Sequence, residues 1–467
     1  MTTDSGTARR SPLREIIDPF VHMLRAPQAL WGVNITYLLE GLCYFGVLTL
    51  LTVFFTENVG LDDAQAGWIV GVFTGGITFT MFFLGGLADS WGVKRALAIS
   101  LALMVAGRIL LSGADLAGGT GMGSGVFFTA LAGLLIVVLG YGMYQPASYA
   151  AVRLFTRGSA AAMGYAMLYA LNKLGAFLAG IISPPVRGAF GISGIYWVYT
   201  VLTAVGVVLV FVFMTRRAMQ AARDAAAATD AAAASTGEAA VEASPNPPAT
   251  KEPFNLMRWL RTHPLRDIRF TFFIFVLIPV QTLFAHQWLT LPAYVLRSYP
   301  AWVSDNMEFF VNLNPLLIFI LSPIIAAMTE RANVYRMMVI GTTVMAAPTF
   351  LLALDTSVTL LFTYIVLMSI GEAMWQPRFL QLAAELAPEG RTGEYMGIAQ
   401  LPWFLTKMLT GVYSGTMLMQ YVPEQGPQDP QMLWLIHGAI AMASPLALVA
   451  AHRWMGARLE HRPAAQT

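Results

Sequence analysis

The amino-acid sequence predicts an all-α membrane protein with 12 transmembrane helices arranged in two six-helix bundles. Three observations predict this fold class. Of the 467 residues, 57% are apolar and only 12% are charged, about half the ~25% charge of a soluble globular protein. Twelve long apolar stretches follow one another along the chain. The basic residues also concentrate on one side of the membrane that these stretches would cross.

The low charge excludes several classes of protein before any motif is considered. It leaves too little polar surface for a water-soluble enzyme of this size or for a disordered chain. The 28 basic and 26 acidic residues give a net charge of only +2, so no nucleic-acid partner is predicted. The single cysteine, Cys43, excludes an intramolecular disulfide and a multi-cysteine metal site. We predict no metal and no cofactor other than a coupling proton.

The apolar stretches have the lengths that membrane-spanning helices need. At 1.5 Å per residue, each is long enough, or nearly so, to cross a hydrocarbon core of ~30 Å. The first stretch is too long for the apolar region of a cleaved signal peptide, so we expect it to be retained. The predicted spans are 28–56, 67–88, 96–113, 126–150, 160–183, 194–214, 268–296, 309–328, 336–354, 357–379, 395–420 and 431–452.

The distribution of basic residues orients these spans. With the N-terminus inside, only Arg187 and Arg297 fall in outer loops, and Arg108, Lys173 and Lys407 fall within spans. The other 23 of the 28 basic residues then lie inside. Because cytoplasmic loops are rich in Lys and Arg, we predict a multi-pass protein of the inner (plasma) membrane with both termini in the cytoplasm.

A polar segment divides the spans into two sets of six. Residues 218–253 are rich in Ala and carry a Pro-rich stretch near their end, a composition typical of a linker. Two linked bundles are the architecture of secondary transporters, whose substrate site lies between the bundles. The predicted regions are a tail (1–27), an N-terminal bundle (28–214), a cytoplasmic linker (215–267), a C-terminal bundle (268–453) and a tail (454–467).

The turn between spans 2 and 3 carries a recognisable motif. Residues 85–95 read GGLADSWGVKR, which resembles the signature loop of the major facilitator superfamily, although Ser90 stands where that family usually has Arg. The resemblance implies a two-bundle transporter that works by alternating access. It also implies roles in this gating loop on the cytoplasmic side for Gly85, Asp89, Gly92, Lys94 and Arg95.

Further motifs resemble one branch of that superfamily, the proton-dependent oligopeptide transporters (POT/PTR). They are EGLCYFG at 40–46, YALNKLG at 169–175, NP at 314–315, GE at 371–372 and LAP at 386–388. The resemblance implies proton-coupled peptide transport, with spans 1, 4, 5, 7, 10 and 11 lining the cavity.

The sequence departs from this branch at the positions that bind peptides. Tyr37 replaces a Glu, Gly41 replaces an Arg, Gln145 stands where many members have a Lys, and Lys173 aligns with an Asn. Dipeptide specificity therefore does not follow from the resemblance.

Four charged residues lie near the middle of predicted spans: Glu40, Lys173, Glu372 and Lys407. Each costs ~2.5–3.5 kcal/mol to insert, so such groups usually face a wet cavity or a partner of opposite charge. We expect the two acids and two bases to neutralise each other in the empty protein. Glu40 is the first candidate to carry the proton and Glu372 the second. The alternative is that all four form structural hydrogen bonds or ion pairs.

Neighbouring polar and aromatic residues complete the predicted site. Asn34, Tyr37, Glu40 and Tyr44 recur at three- and four-residue steps, and we expect this stripe to face the cavity. Arg108 is interpreted as snorkelling to the outer interface, and His286 as a hydrogen-bonded packing residue. The predicted substrate-binding residues are Tyr37, Tyr44, Gln145, Tyr169, Asn172, Lys173, Gln287, Trp375 and Lys407.

The leading functional prediction is a secondary active transporter of a small polar solute, peptide-like or anionic, coupled to protons. No phosphate-binding Gly-rich loop, nucleophile elbow or set of metal ligands is found in the sequence, so neither ATP-driven transport nor an enzyme is predicted. A drug or lipid-like efflux antiporter is the alternative, and a non-transporting receptor or a membrane enzyme would be a different class. The expected partners are the lipid bilayer and the solute, with no nucleic acid and the monomer as the working unit.

Overall fold

The computed structural model describes residues 27–84, 90–156, 159–235, 263–329, 332–386, 395, 398–399 and 401–459. These residues form α-helices joined by short turns and contain no strand. Gly85 and Asp89 of the predicted gating loop lie outside the described residues, as do most of both predicted tails and the second half of the linker. The predicted boundaries of the five regions stay predictions.

The first half of the chain forms the N-terminal bundle and one following helix. The first helix continues into a π-helical turn at Phe54–Asn58, near the end of the predicted first span. The long fifth helix is interrupted at Gly191, whose φ of 71° favours glycine. The helices are α1 (Gln28–Val53), α2 (Asp63–Leu84), α3 (Val93–Ser112), α4 (Gly125–Phe155), α5 (Ser159–Phe213) and α6 (Arg216–Ser235).

The second half forms the C-terminal bundle, whose helices are more often broken into short pieces. Pro279 and Pro292 lie in the first turns of two of these pieces, where a missing N–H costs no helical hydrogen bond. The helices are α7 (Ile268–Phe275), α8 (Ile278–Leu289), α9 (Leu291–Ser298), α10 (Ala301–Ser304), α11 (Met307–Val311), α12 (Leu313–Met328), α13 (Val334–Ala346), α14 (Val358–Leu386), α15 (Leu401–Tyr421) and α16 (Pro430–Leu459).

Nine helices among the described residues are long and apolar enough to cross a membrane. One of the nine, Met167–Phe213, has 47 residues and includes the break at Gly191, so its length suits two crossings. Helices α2 and α15 add two further helices of 22 and 21 residues. The all-helical membrane fold is confirmed, whereas the count of 12 spans stays a prediction.

Small residues let the helices within each bundle approach closely. A Cβ added to Gly107 on α3 would lie 2.5 Å from the carbonyl oxygen of Gly133 on α4. A Cβ on Gly41 would lie 2.9 Å from the carbonyl oxygen of Asn172, where α1 meets α5. Because lipid gives no hydrophobic drive for helix association, such close backbone packing holds membrane bundles together.

Ion pairs join the two bundles at one end, which the loop charges predict to be extracellular and which we call the outer end. Arg297 Nη1 and Nη2 each lie 2.7 Å from an oxygen of Asp63, which begins α2. Arg187 Nε donates to Glu308 Oε1 at 2.5 Å and links α5 to α11. The opposite end, predicted to be cytoplasmic, is called the inner end.

Candidate functional site between the two bundles

An ion pair lies at the boundary between the two bundles. Lys173 on α5 places its Nζ 3.5 Å from Glu372 Oε1 on α14. Glu372 is almost fully buried, and the Lys173 side chain is 15% exposed. A buried charge is tolerated when it is paired, and this contact gives each of the two residues a partner of opposite charge. The predicted pairing of Lys173 with one of the central acids is confirmed.

The carboxylate of Glu372 is also held from its own bundle. Asn314 on α12 donates from its Nδ2 to Glu372 Oε2 at 2.9 Å and to Ser369 Oγ at 2.9 Å. On the α5 side, the Lys173 Nζ lies 5.5 Å from the centre of the ring of Tyr169, one turn away on the same helix, and the Tyr169 hydroxyl donates to Gln376 Oε1 of the other bundle at 3.4 Å. Residues of both bundles thus surround one carboxylate.

The second central lysine has no such partner. Lys407 on α15 is half-buried, and its Nζ lies 3.5 Å from Thr78 Oγ1 on α2. Within the described part of the chain, no carboxylate forms an ion pair with it. The predicted neutralisation of Lys407 by Glu40 or Glu372 is therefore wrong. The reason is geometric, because both acids are engaged by other cations.

Glu40 forms its ion pair inside the N-terminal bundle. Its two oxygens accept hydrogen bonds from Nη1 and Nη2 of Arg108 on α3, the first at 2.8 Å. Glu40 is 1% exposed and Arg108 is 2% exposed, and Arg108 also contacts the Thr203 hydroxyl. The predictions that Arg108 snorkels outward and that Glu40 faces the central cavity are wrong. The bidentate geometry of Arg with carboxylate explains the pairing.

Aromatic side chains pack beside this pair. Tyr37 stacks on Tyr144 with ring centres 6.0 Å apart, and its hydroxyl lies 3.4 Å from that of Tyr149. Tyr44 is half-buried, and its ring centre lies 4.7 Å from that of Tyr141. Both predicted residues, Tyr37 and Tyr44, therefore belong to a cluster of tyrosines formed by α1 and α4.

Three tyrosines near the inner end mark a space between the bundles. Tyr149, Tyr165 and Tyr169 are 40%, 38% and 43% exposed. The Tyr169 hydroxyl nevertheless reaches Gln376 in the other bundle, and the rings of Tyr149 and Tyr165 lie 6.0 Å apart. Their exposed rings and the contact of Tyr169 with Gln376 mark the boundary between the bundles on this side of the Lys173–Glu372 pair. Gln145 donates to the Tyr149 hydroxyl at 3.4 Å.

The remaining predicted substrate contacts lie elsewhere. Trp375 is fully buried in the C-terminal bundle, where its Nε1 lies 3.0 Å from Met345 Sδ. Gln287 is buried and donates to Met368 Sδ at 3.1 Å. Asn172 is half-buried at the contact of α5 with α1. Trp375 and Gln287 therefore pack within their bundle and do not line the gap.

The histidine of span 7 forms a buried cluster. His286 Nδ1 lies 2.7 Å from Thr290 Oγ1 and its Nε2 lies 3.1 Å from the Tyr413 hydroxyl. The ring of His437 on α16 lies 3.8 Å from that of His286. The interpretation of His286 as a hydrogen-bonded packing residue is confirmed. Among the described residues, no group of three or more His, Cys, Asp or Glu side chains is placed to hold a metal ion.

The described part of the predicted gating loop lies at the inner end. Gly92 has a φ of 82° and immediately precedes α3. Lys94 and Arg95 fall in the first turn of that helix, and Lys94 Nζ lies 5.2 Å from the centre of the Phe211 ring. The roles of all five loop residues in gating stay predictions.

Comparison with known proteins decides the family. The model of the Major Facilitator Superfamily matches residues 33–300 and 284–466. The chain belongs to this superfamily. Its fold and family are those of membrane transporters and not of enzymes, as predicted.

Individual relatives match only part of the chain, at less than 30% identity. The peptide transporter YePEPT of Yersinia enterocolitica subsp. palearctica serotype O:3 (strain YE-P4) is 29% identical over 183 residues, which cover 36% of this chain and 34% of the relative. The multidrug resistance protein MdtH of Klebsiella pneumoniae (strain 342) is 28% identical over 186 residues, 39% of this chain and 45% of the relative. The matches thus span less than half of each relative.

Solved structures share the fold over nearly the whole chain. The match to a peptide transporter POT in complex with sulfate has a TM-score of 0.70 at 18% identity. It covers 92% of this chain and 95% of the transporter chain. A POT family transporter in complex with 5-aminolevulinic acid has a TM-score of 0.66 at 17% identity, with 92% and 97% covered. The predicted resemblance to the POT branch is confirmed at the level of fold.

Sequence reasoning missed three residues that the structure places beside the central charges. They are Arg108, which pairs with Glu40; Asn314, which binds Glu372; and Thr78, which lies beside Lys407. Arg108 could have been found from the cost of an arginine within a span, which requires a buried partner. Asn314 belongs to the NP motif at 314–315, but neither Asn314 nor Thr78 carries a charge, so the cost of burying a charge does not single them out.

Proposed function

We propose that this chain is a secondary active transporter of a small anionic or zwitterionic, peptide-like solute that works by alternating access. The observation that carries the proposal is the Lys173–Glu372 ion pair, which joins α5 of one bundle to α14 of the other at positions near the middle of the predicted spans. A contact between two bundles changes when they rock about a central site. A solute that binds either partner would therefore be coupled to that motion. We place the protein in the inner membrane with both termini cytoplasmic, on the basis of its loop charges.

The charge of the solute follows from the two lysines. Lys407 has no carboxylate partner within the described residues, and Lys173 shares its partner with Asn314. An anionic group on the solute would supply the negative partner that Lys407 lacks. The solved structures with this fold support this class, since their ligands include sulfate and 5-aminolevulinic acid.

We further propose that protons drive the transport and that Glu372 carries the coupling proton. A carboxyl group that is buried beside a lysine is held charged by that lysine and made neutral by burial when the lysine leaves. Rocking of the bundles would separate Lys173 from Glu372 and so change proton affinity. Glu40 is the second candidate. Its partner Arg108 lies in the same bundle and would move with it, so rocking of the bundles would not separate this pair.

Efflux of drugs or lipid-like compounds is the second candidate function. The similarity to the multidrug resistance protein MdtH supports it. The charged residues between the bundles favour a polar solute, since an apolar drug would leave Lys407 without a counter-charge.

Counterflow into proteoliposomes tests the proposal. The panel contains short and modified peptides, amino acids, small carboxylates and phosphonates, and cationic drugs. We expect exchange of an anionic or zwitterionic solute, reduced at least tenfold by Lys173→Ala and by Lys407→Ala. Lys173→Arg and Lys407→Arg preserve the charge and serve as matched controls that retain part of the activity. Exchange at the parent rate in both alanine variants would contradict an anionic substrate, and exchange of cationic drugs alone would favour efflux.

A further inference from the structure

A cavity of about 540 Å³ lies at the inner end of the N-terminal bundle, away from the gap between the bundles. Its walls come from the start of α3, the end of α4, the end of α5 and helix α6. Ile99 and Phe211 line it and are 42% and 54% exposed. All of its lining residues belong to the N-terminal bundle or to α6, so the cavity lies away from the boundary between the bundles, and the exposed side chains of Ile99 and Phe211 suit contact with lipid.

Four cationic side chains line this cavity: Lys94, Arg95, Arg216 and Arg223. None of the four forms an ion pair with any residue that the structure describes. The remaining wall is largely apolar and includes Trp91. A cavity with this lining suits a ligand that has an anionic head and an apolar body.

Helix α6 is fixed so that its arginines face the cavity. Ala218, Ala222 and Ala226 recur every four residues and are buried, and α6 packs against α1 and α4. Arg216 and Arg223 stand seven residues apart, two helical turns along another face of the same helix. Small alanines allow close packing, so the cationic face is held in place beside α3 and α5.

We propose that this cavity binds the head group of an anionic phospholipid of the cytoplasmic leaflet. Its place at the predicted cytoplasmic end puts it at the level of the lipid phosphates, and basic pockets between transmembrane helices on that side bind anionic head groups. The apolar wall accommodates the glycerol and the first acyl carbons. An interfacial tryptophan, Trp91, lies where such residues meet head groups. This site is independent of the transported solute.

Native mass spectrometry of the delipidated full-length protein tests the proposal. Cardiolipin, phosphatidylglycerol and phosphatidylcholine are added in turn to the protein in detergent. We expect the two anionic lipids to bind at least tenfold more tightly than phosphatidylcholine. The variant Arg216→Gln with Arg223→Gln should weaken anionic lipid binding about 25-fold, because one basic residue near a membrane surface contributes about fivefold.

The control is Arg217→Gln, which removes one positive charge from the same helix at an exposed residue outside the cavity and is compared with Arg216→Gln alone. We expect this variant to bind anionic lipid within twofold of the parent. An equal loss in Arg217→Gln, or equal binding of phosphatidylcholine, would overturn the proposal. Displacement of the lipid by millimolar inorganic phosphate would also overturn it, since the cavity would then recognise a free anion. Helical circular dichroism and a single size-exclusion peak verify that each variant is folded.

Discussion

Gly71 on α2 and Gly411 on α15 bring the two bundles into backbone contact. A Cβ added to Gly411 would lie 2.6 Å from the Cα of Gly71, and Gly67 and Gly415 extend the same contact one turn toward the outer end. Only residues without a side chain allow this approach. The outer end of the gap is therefore closed by two pairs of glycines, with the Arg297–Asp63 ion pair above them.

Gly411→Ala should open the outer end. The new methyl group meets backbone, which cannot rotate away, and overpacking of this kind costs ~1–3 kcal/mol. We expect at least a tenfold rise in the ratio of outward-open to inward-open protein. Spin labels at the exposed positions Thr120 and Gln425, one in each bundle, would report longer distances. The single native cysteine, Cys43, is buried, so background labelling is low.

Gly76→Ala is the matched control for this substitution. It makes the same change on α2, but its Cβ would lie 3.5 Å from Val138 Cγ1, an ordinary contact. We expect its distance distribution to match the parent. Equal shifts in both variants would mean that the close approach of Gly71 and Gly411 does not hold the outer end closed.

Asp63→Asn should also favour the outward-open state. The substitution removes the charge that accepts two hydrogen bonds from Arg297, each at 2.7 Å, and leaves the guanidinium without its main partner. We expect roughly a tenfold shift with the same labels, about 1.4 kcal/mol. Asp62→Asn is the control, because the Asp62 carboxylate accepts a hydrogen bond from the backbone N–H of Gln65, a capping contact that asparagine can also make. An unchanged distance distribution in Asp63→Asn would show that the ion pair does not lock this end.

Arg108→Met should destabilise the N-terminal bundle strongly. It leaves Glu40 buried without its partner, and loss of one member of a buried pair costs ~3–5 kcal/mol. The double substitution Glu40→Gln with Arg108→Met removes both charges and should recover most of the thermal stability in detergent. If the double variant unfolds at the same temperature as Arg108→Met, the lost stability does not come from the uncompensated carboxylate.

Glu372→Gln should uncouple transport from the proton gradient. A glutamine cannot release a proton, so accumulation driven by a pH gradient should fall at least tenfold while counterflow exchange continues. Glu40→Gln is the comparison, because it removes a buried carboxylate whose partner lies in the same bundle. We expect it to keep gradient-driven uptake. The opposite result, uptake lost only in Glu40→Gln, would transfer the coupling role to Glu40.

Some parts of the site were predictable because they depend on charge alone. A lysine and a glutamate in the middle of spans must find partners, and Lys173 and Glu372 do so across the bundle boundary. Arg108 was misinterpreted because its position in span 3 also allowed an escape to the outer surface. Whether Arg108 reaches Glu40 or points to lipid depends on how α3 is rotated about its axis. No local sequence pattern encodes that rotation.

The sequence by itself determined the helical membrane fold, the two-bundle division and the presence of buried charge. These follow from hydropathy, loop charges and the cost of ionised groups in lipid, which act on each segment separately. Only the tertiary structure decided that Glu40 stays within its bundle, that Trp375 is a core residue and that Lys407 lies beside Thr78. Both faces of a membrane-buried helix are apolar, so its pattern does not say which face meets lipid and which meets a neighbour. Packing between helices, through close contacts such as Gly71 with Gly411, makes that choice.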